Sequence, residues 1–417
     1  MPNFNNGTIG EMGYGQEKSV EQNVEPLISE GTDVTHFIEL LGDISDPRDN
    51  RGKRHELSFV LAVTTMAILS GKNRVSEIHR YIRNKIEWLQ EIFDRPNVKP
   101  ISRAQLPRIL NIVDWEELNA VIEEFFSVTV ENINDEWIAI DGKVLRGTIT
   151  DNDNAHENEQ ITIAIGHKSQ QIFFQRKMSG AKSSEVTEVR KLLEGTWLQR
   201  AKVTLDPLHA NPTTLETINQ SGGKYIVQIK KNQPTLFEMF GDMAQEEKAI
   251  GSIKTVEKSR GRLEERGGRF FPLKDVEFDA RWGQSDFQTL IVVDRMTKKI
   301  KKEEISRERS YYVSNVELED HQSKILPDME EELFTAIREH WHVESNNYIR
   351  DMTFKEDYVK TKNKNQGQIL SLVRTVAINI IRKTNPKNFK EVIDSFCDSQ
   401  DVLASVLLKF NFLRSWI

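Results

Sequence analysis

A single cysteine, Cys397, stands among 417 residues, so no internal disulfide can close and no cysteine cluster can hold zinc or iron–sulfur. A chain of this kind suits a reducing cytoplasm better than an oxidising compartment. Long apolar runs are missing too. The longest, Phe59–Leu69, falls well short of the roughly 20 residues that cross a bilayer, and no basic stretch leads into an apolar one at the start. Neither a membrane segment nor a signal peptide is expected. There is no excess of positive charge: 57 Lys and Arg against 64 Asp and Glu give a net charge of −7, a field that repels polyanions. What is present, 38% hydrophobic and 29% charged residues, excludes fibrous and wholly disordered classes and allows two or three well-filled cores.

The mean charge hides a gradient. Residues 1–34 carry six acids and one lysine, whereas residues 350–390 carry ten Lys and Arg against three acids, so a local basic stripe survives the acidic average. Residues 1–33 show no apolar period and read as a flexible tail. From Leu57 to Ser70 the chain is apolar almost all round, as in a buried helix, with Gly71 as its stop. Helical patterns follow at Val75–Phe93, Ser102–Ile112 and Trp115–Phe126, the last capped by Asp114. Residues 34–128 are therefore expected to form an all-helical domain. At Trp137 the texture changes to short β-branched bursts (WIAID, ITIAIGH, QIFFQRK), then to alternating strands and helices, which predicts a mixed α/β layer fold. A strand-rich block at about 250–318 looks inserted into this domain, which runs from 129 to 390. Asp328–Glu344 and Gln368–Lys383 read as amphipathic helices, and 391–417 as a C-terminal helical segment.

Three acids stand where a carboxylate is costly unless its charge is used. Asp141 ends the apolar run Trp137–Ile140; Asp206 ends Val203–Leu205 and precedes Pro207. Glu344 lies on a helix where Leu333, Ile337 and Trp341 recur every four residues, so its neighbours on that face are expected to be apolar. Singly, each has an ordinary explanation as a turn former, a helix cap or a solvated helix residue. Jointly, carboxylates at strand ends met by one from a facing helix make a set of hard oxygen ligands, which Mg²⁺ or Mn²⁺ prefers.

The segments IAIDGKVLRGT, VTLDPLHANPTT, GGKYIVQIKKNQPTLFE, EKSRGRLEERGGRFF and REHWHVES…RDMTFKEDYVKTKNKN follow one another between Ile138 and Asn365. In that order they resemble the DDE transposases of bacterial insertion sequences, specifically the H-repeat-associated (ISAs-type) group. DPRDNRGKRHELSFVLAVTTMAILSG, from Asp46, resembles the N-terminal domain that accompanies that group. The resemblance spans about residues 36–385. It implies a ribonuclease-H-like mixed sheet flanked by helices and two Mg²⁺ or Mn²⁺ ions held by Asp141, Asp206 and Glu344. It also implies cleavage of DNA at an element's terminal inverted repeats with strand transfer into target DNA, carried out by a homodimer or higher oligomer in a synaptic complex. Two positions depart from the pattern of better-known relatives, which have an arginine four residues before the glutamate and a lysine seven after it. Here these are His340 and Asp351, so the DNA contacts are expected from Arg338, Arg350 and Lys355 instead.

Other residues are candidates for DNA contact, each beside an ordinary alternative. Lys143 and Arg146 follow Asp141 and are expected to be exposed, either meeting phosphates or lining a solvated turn. His209, three residues after Asp206, is a candidate contact for substrate or a metal-bound water, although a hydrogen-bonded structural histidine is the commoner case. Lys230, Lys231, Asn232 and Gln233 come at a strand end before a helix, where side chains and free backbone N–H groups converge. Trp282, in RWGQ, is read either as a platform for a base flipped out of the stack or as cover for a small β core. Trp341 is expected to pack while Arg338 and His340 face DNA. Lys360 and Lys362, with Lys355, form a basic loop that is a phosphate track or a solvated face. The arginine-rich helical domain suits a reader of terminal repeats as well as a dimerisation module. Alternatives to the transposase reading are a transposase-derived protein that binds DNA without cutting it, and a metal-dependent nuclease that nicks without joining.

Overall fold

The computed structural model describes residues 36–129, 133–148, 159–178, 183–194, 198–259, 261–300, 304–318 and 327–413; the expected tail lies outside them. Thr35–Ile417 gathers into one compact unit. The N-terminal helices are α1 (Phe37–Leu40), α2 (Leu57–Leu69), α3 (Val75–Asn84), α4 (Ile86–Ile92), α5 (Gln105–Ile112) and α6 (Trp115–Phe125). Every residue of α2 is buried, which is why its sequence has no polar face. Asp114 caps α6 by accepting from the backbone of Glu117 at 3.0 Å, satisfying an end donor that the helix itself cannot.

One sheet runs through the rest of the unit. Its nine strands lie in the order β3-β2-β1-β4-β5-β9-β8-β7-β6: β1 (Trp137–Val144), β2 (Gln160–Gly166), β3 (Ile172–Met178), β4 (Lys202–Leu205), β5 (Lys224–Ile229), β6 (Gly251–Ser259), β7 (Arg262–Pro272), β8 (Thr289–Lys299) and β9 (Ile305–Ser314). β1, β2 and β3 are antiparallel neighbours, while β1, β4 and β5 run parallel. The parallel strands are joined through α7 (Ser183–Glu194) and α8 (Pro212–Gln220), as parallel pairs require a crossover. The strand-rich block is not a separate body: β9 pairs antiparallel with β5 from Ile226↔Ser314 to Ile229↔Tyr311, so the block extends the same sheet.

Two helices then cross the sheet, α9 (Pro234–Glu246) and α10 (Pro327–Glu339), the latter over a cluster of Ile226, Phe270, Ile291, Leu333 and Phe334. The single helix expected over Asp328–Glu344 is interrupted at His340 and resumes as α11 (Trp341–Tyr348), which passes into a π-helical turn, Ile349–Thr353. Helix α12 (Lys364–Lys383) is buried along almost all its length and packs against α2, α5, α6 and β3, so the N-terminal helices and the sheet share one hydrophobic core. Helices α13 (Phe389–Asp398) and α14 (Gln400–Lys409) complete the fold.

Candidate active site

Ile140 of β1 pairs with Leu205 of β4 in parallel register, so the next residue on each, Asp141 and Asp206, sits on a neighbouring strand at the same level. Adjacent strands lie roughly 4.8 Å apart. Past Leu205 the chain leaves the sheet in a short turn, Pro207–His209. Asp141, however, does not end its own strand, as the sequence suggested: β1 continues to Val144, paired with β2 through Asp141↔Ile163. Only the pairing with β4 ends there, at Ile140↔Leu205.

Helix α11 lies over both aspartates. The Nε2 of His340 is 3.1 Å from Oδ1 of Asp206, and its Nδ1 is 2.8 Å from the hydroxyl of Thr204. Seven residues further on, Asn347 Nδ2 donates to Oδ2 of Asp141 at 2.9 Å. Residues at spacings of four and three share a helix face, so Glu344 lies between these two attachments. The apolar surroundings expected for Glu344 are not met on the side facing the aspartates, which His340 and Asn347 occupy; Trp341 and Tyr348, one turn to either side of it, are exposed.

The site's electrostatics fit that crowding. Partial burial raises the pKa of Glu344, and the charge of Asp206 raises it further, since each negative charge disfavours the next. Asp206 goes the other way: the hydrogen bond with His340 holds its carboxyl below the ordinary range against the effect of burial. The positive charge of Lys230 acts on both, which places that exposed lysine beside the acids.

Of the remaining candidates, Asn232 and Gln233 fasten the loop before α9 to the turn after Asp206, donating to the carbonyls of Pro207 at 2.7 Å and Ala210 at 2.8 Å. Lys230 and Lys231 are exposed there. Arg146 is 75% exposed, and the basic loop lies against it, with Lys360 Nζ donating to the Arg146 carbonyl at 2.8 Å. Gly147 permits this approach, because a Cβ there would stand 2.6 Å from the carbonyl oxygen of Val359. Lys355 and Lys362 are exposed on the same loop, Lys355 lying over the ring of Tyr358. Arg338 is exposed and paired with Glu257 of β6.

Six expectations are corrected. Lys143 is buried rather than exposed, because it turns inward to Asp351 at 2.6 Å and Asp357 at 3.7 Å. His209 is completely enclosed, too deep to touch DNA. Arg350 is likewise buried, its guanidinium spent on Glu356, Gln175, Ser371 and Thr375. Trp282 is 2% exposed and packs on Phe287 with Arg281 over its ring, so it offers no platform to a base. His340 faces Asp206 instead of solvent. Conversely Trp341, expected to pack, is 61% exposed. It shares that exposure with Tyr348, a spacing of seven further along α11 and therefore on the same outward face.

Sequence reasoning missed Thr204, His167 and Asn347. Signals existed for two of them: Thr204 precedes Asp206 by two residues and so shares its side of the strand, and Asn347 follows Glu344 by one helical turn.

The donor set of Asp141, Asp206 and Glu344 fits a hard divalent cation in kind. As they stand, Asp141 and Asp206 are bonded to Asn347 and His340, and among the described residues no group of three or more His, Cys, Asp or Glu is gathered tightly enough to hold a metal ion. Among the described residues no helix is long and apolar enough to cross a membrane.

The pattern of the DDE_Tnp_1-associated family matches residues 38–126. "Putative transposase YncI" of Escherichia coli O157:H7 is 25% identical over 391 residues, covering 89% of this chain and 95% of that protein. "H repeat-associated putative transposase YhhI" of Escherichia coli (strain K12) is 26% identical over 365 residues, 86% of this chain and 93% of that one. Among solved structures, a piggyBac transposase synaptic complex with hairpin DNA superposes with a TM-score of 0.41 at 10% identity, over 90% of this chain and 80% of that one, a likeness too slight to bear on fold or activity.

Proposed function

The likeness to the H repeat-associated transposases extends over most of the chain, and on that premise we propose that it is an insertion-sequence transposase that cleaves DNA at the ends of its element and joins them to target DNA. The observation that carries this reading is the attachment of one helix to two aspartates remote from it in sequence. Asp141 and Asp206 lie in register on parallel strands, and one helix face attached to both carries Glu344. An antiparallel β3-β2-β1 meander continued by parallel β4 and β5 supports a ribonuclease-H-like core.

Asp141, Asp206 and Glu344 would hold the Mg²⁺ or Mn²⁺ ions, which supply charge neutralisation and activation of the attacking oxygen when bound. The chain's own residues do the rest. Asn347 and His340 fix the directions of the two aspartates. Lys230, Lys231, Arg146 and the Lys355–Lys362 loop edge the site with positive charge suited to a phosphate backbone. Trp341 and Tyr348 flank Glu344 with exposed rings on which unpaired bases can stack.

The test is incubation of the purified chain with DNA carrying the inverted repeats that flank its gene, in Mg²⁺. Release of a 3′-hydroxyl at the element end, followed by joining to a second duplex, is the expected result. Nicking without joining would favour the nuclease alternative, and binding without cleavage the non-catalytic one.

A further inference from the structure

Behind Asp206 runs a line of hydrogen bonds that leads away from the site into the protein. His167, at the end of β2, is 1% exposed. Its Nε2 is 2.9 Å from the hydroxyl of Thr204, that hydroxyl is 2.8 Å from Nδ1 of His340, and Nε2 of His340 is 3.1 Å from Asp206. Thr204 is itself 2% exposed.

The chemistry of these groups gives the line a direction. A carboxylate only accepts, so Nε2 of His340 carries a proton. A hydroxyl has one proton to give; its contact with the Ile138 carbonyl is long, at 3.4 Å, and two arrangements place that proton on the shorter contacts between the rings. In the first, Thr204 donates to a bare Nδ1 of His340 and accepts from Nε2–H of His167. In the second, Thr204 accepts from His340 and donates to His167, whose proton then sits on Nδ1. That atom is buried with no hydrogen-bond partner, its nearest carboxylate oxygen, on Glu339, being 3.8 Å away. An orphaned buried N–H is rarer than an orphaned acceptor, so the first arrangement is preferred. Burial agrees, pulling the pKa of His167 down to about 3, which keeps its ring neutral.

We propose that His167, Thr204 and His340 form a one-way hydrogen-bond chain whose last N–H fixes the direction of the Asp206 carboxylate, making all three positioning residues for the reaction. The proposal rests on the reading of Asp206 as a reacting-site carboxylate. The three residues touch no substrate. They act as the outer partners of a ligating group do, fixing tautomer and orientation.

The experiment uses full-length protein with ¹⁵N-labelled histidine and long-range ¹H–¹⁵N correlation spectra. Wild type is expected to show both His340 and His167 protonated on Nε2, with pyridine-like Nδ1 nitrogens. Thr204→Val, nearly isosteric, should move the Nδ1 signal of His340 towards that of an unbonded nitrogen, and Thr204→Ser should restore it. In element-end cleavage, Thr204→Val should lower kcat roughly 10–100-fold with KM for the DNA little changed, and Thr204→Ser should recover most of it. A proton on Nδ1 of His340 in the wild type overturns the chain's direction whether or not the protein cleaves DNA. Unchanged kcat in a folded Thr204→Val variant that shows the nitrogen shift overturns the positioning role. Absence of cleavage in the wild type would instead count against the transposase reading, leaving the nitrogen signals to decide the chain.

Discussion

Lys143 reaches from β1 to Asp351, with Nζ 2.6 Å from Oδ1. The two lie 208 residues apart in the chain, on the strand of Asp141 and on the helical continuation of Glu344. This ion pair, together with the Asn347–Asp141 bond, ties that continuation to β1. Both departures from the pattern of better-known relatives are thereby accounted for locally. Asp351 receives a lysine from the strand, and His340 supports an aspartate.

Removing Lys143 should therefore act on the fold as well as the site. Lys143→Met leaves Asp351 partly buried without its main cation, and should cost about 3 kcal/mol, the low end for breaking a buried pair because Asp351 is partly solvated. Adding Asp351→Asn should recover part of that loss, as expected of a coupled pair. Urea unfolding of the single and double variants measures this, and additive losses would mean the contact contributes nothing.

Asp141→Asn keeps the shape of the side chain while removing its charge. Strand cleavage in Mg²⁺ should fall by at least about 10³-fold, a loss of about 4 kcal/mol in transition-state stabilisation, with binding of element-end DNA retained. Cleavage near the wild-type rate would remove Asp141 from the chemistry.

The two tryptophans should separate cleanly. Trp282→Ala empties a packed site and should destabilise the fold by about 3–5 kcal/mol. Trp341→Ala should change stability by less than about 0.5 kcal/mol and weaken binding of DNA with an unpaired end by about 1–3 kcal/mol. Unfolding curves and fluorescence anisotropy with tailed and blunt duplexes test the pair, and the idea fails if Trp341→Ala binds both duplexes as tightly as wild type.

His167 makes stability depend on acid. Its ring titrates at about 3 in the folded chain against 6.5 for an unperturbed histidine. Between those values the unfolded chain binds the proton and the folded chain does not, so stability rises with pH, by up to about 1.4 kcal/mol per pH unit from this group. Above 6.5 the contribution is flat. The difference in unfolding free energy between wild type and His167→Gln, followed from pH 4.5 to 7.5, should slope below 6.5 and level off above it. A difference that stays constant would show that the buried ring is protonated.

Much of the fold could be read from local pattern. Helix α9 begins at Pro234 and ends at Glu246 as its proline and apolar spacing indicate, and α2 is buried all round as its composition requires. What the pattern could not give was partnership at long range. The alternation of β6 to β9 is the same whether they form a separate hairpin stack or extend the main sheet; only the β5–β9 pairing decides. The site shows the same division. Strand-end acids mark Asp206, and helical spacing ties Asn347 to Glu344. Nothing local says that Lys143 and Arg350 turn inward, because the acids that receive them are supplied by other segments. Trp341 misled for a related reason: its spacing of four from Leu333 and Ile337 presumed one unbroken helix, and the interruption at His340 rotates it outward.

Helix α12 is walled in by the N-terminal helices on one side and by β3 on another. A polypeptide cut between those layers would leave its leucines and isoleucines bare to water on whichever fragment kept it. The other fragment would lose its lid. Each half thus depends on the other to keep its apolar surface from water.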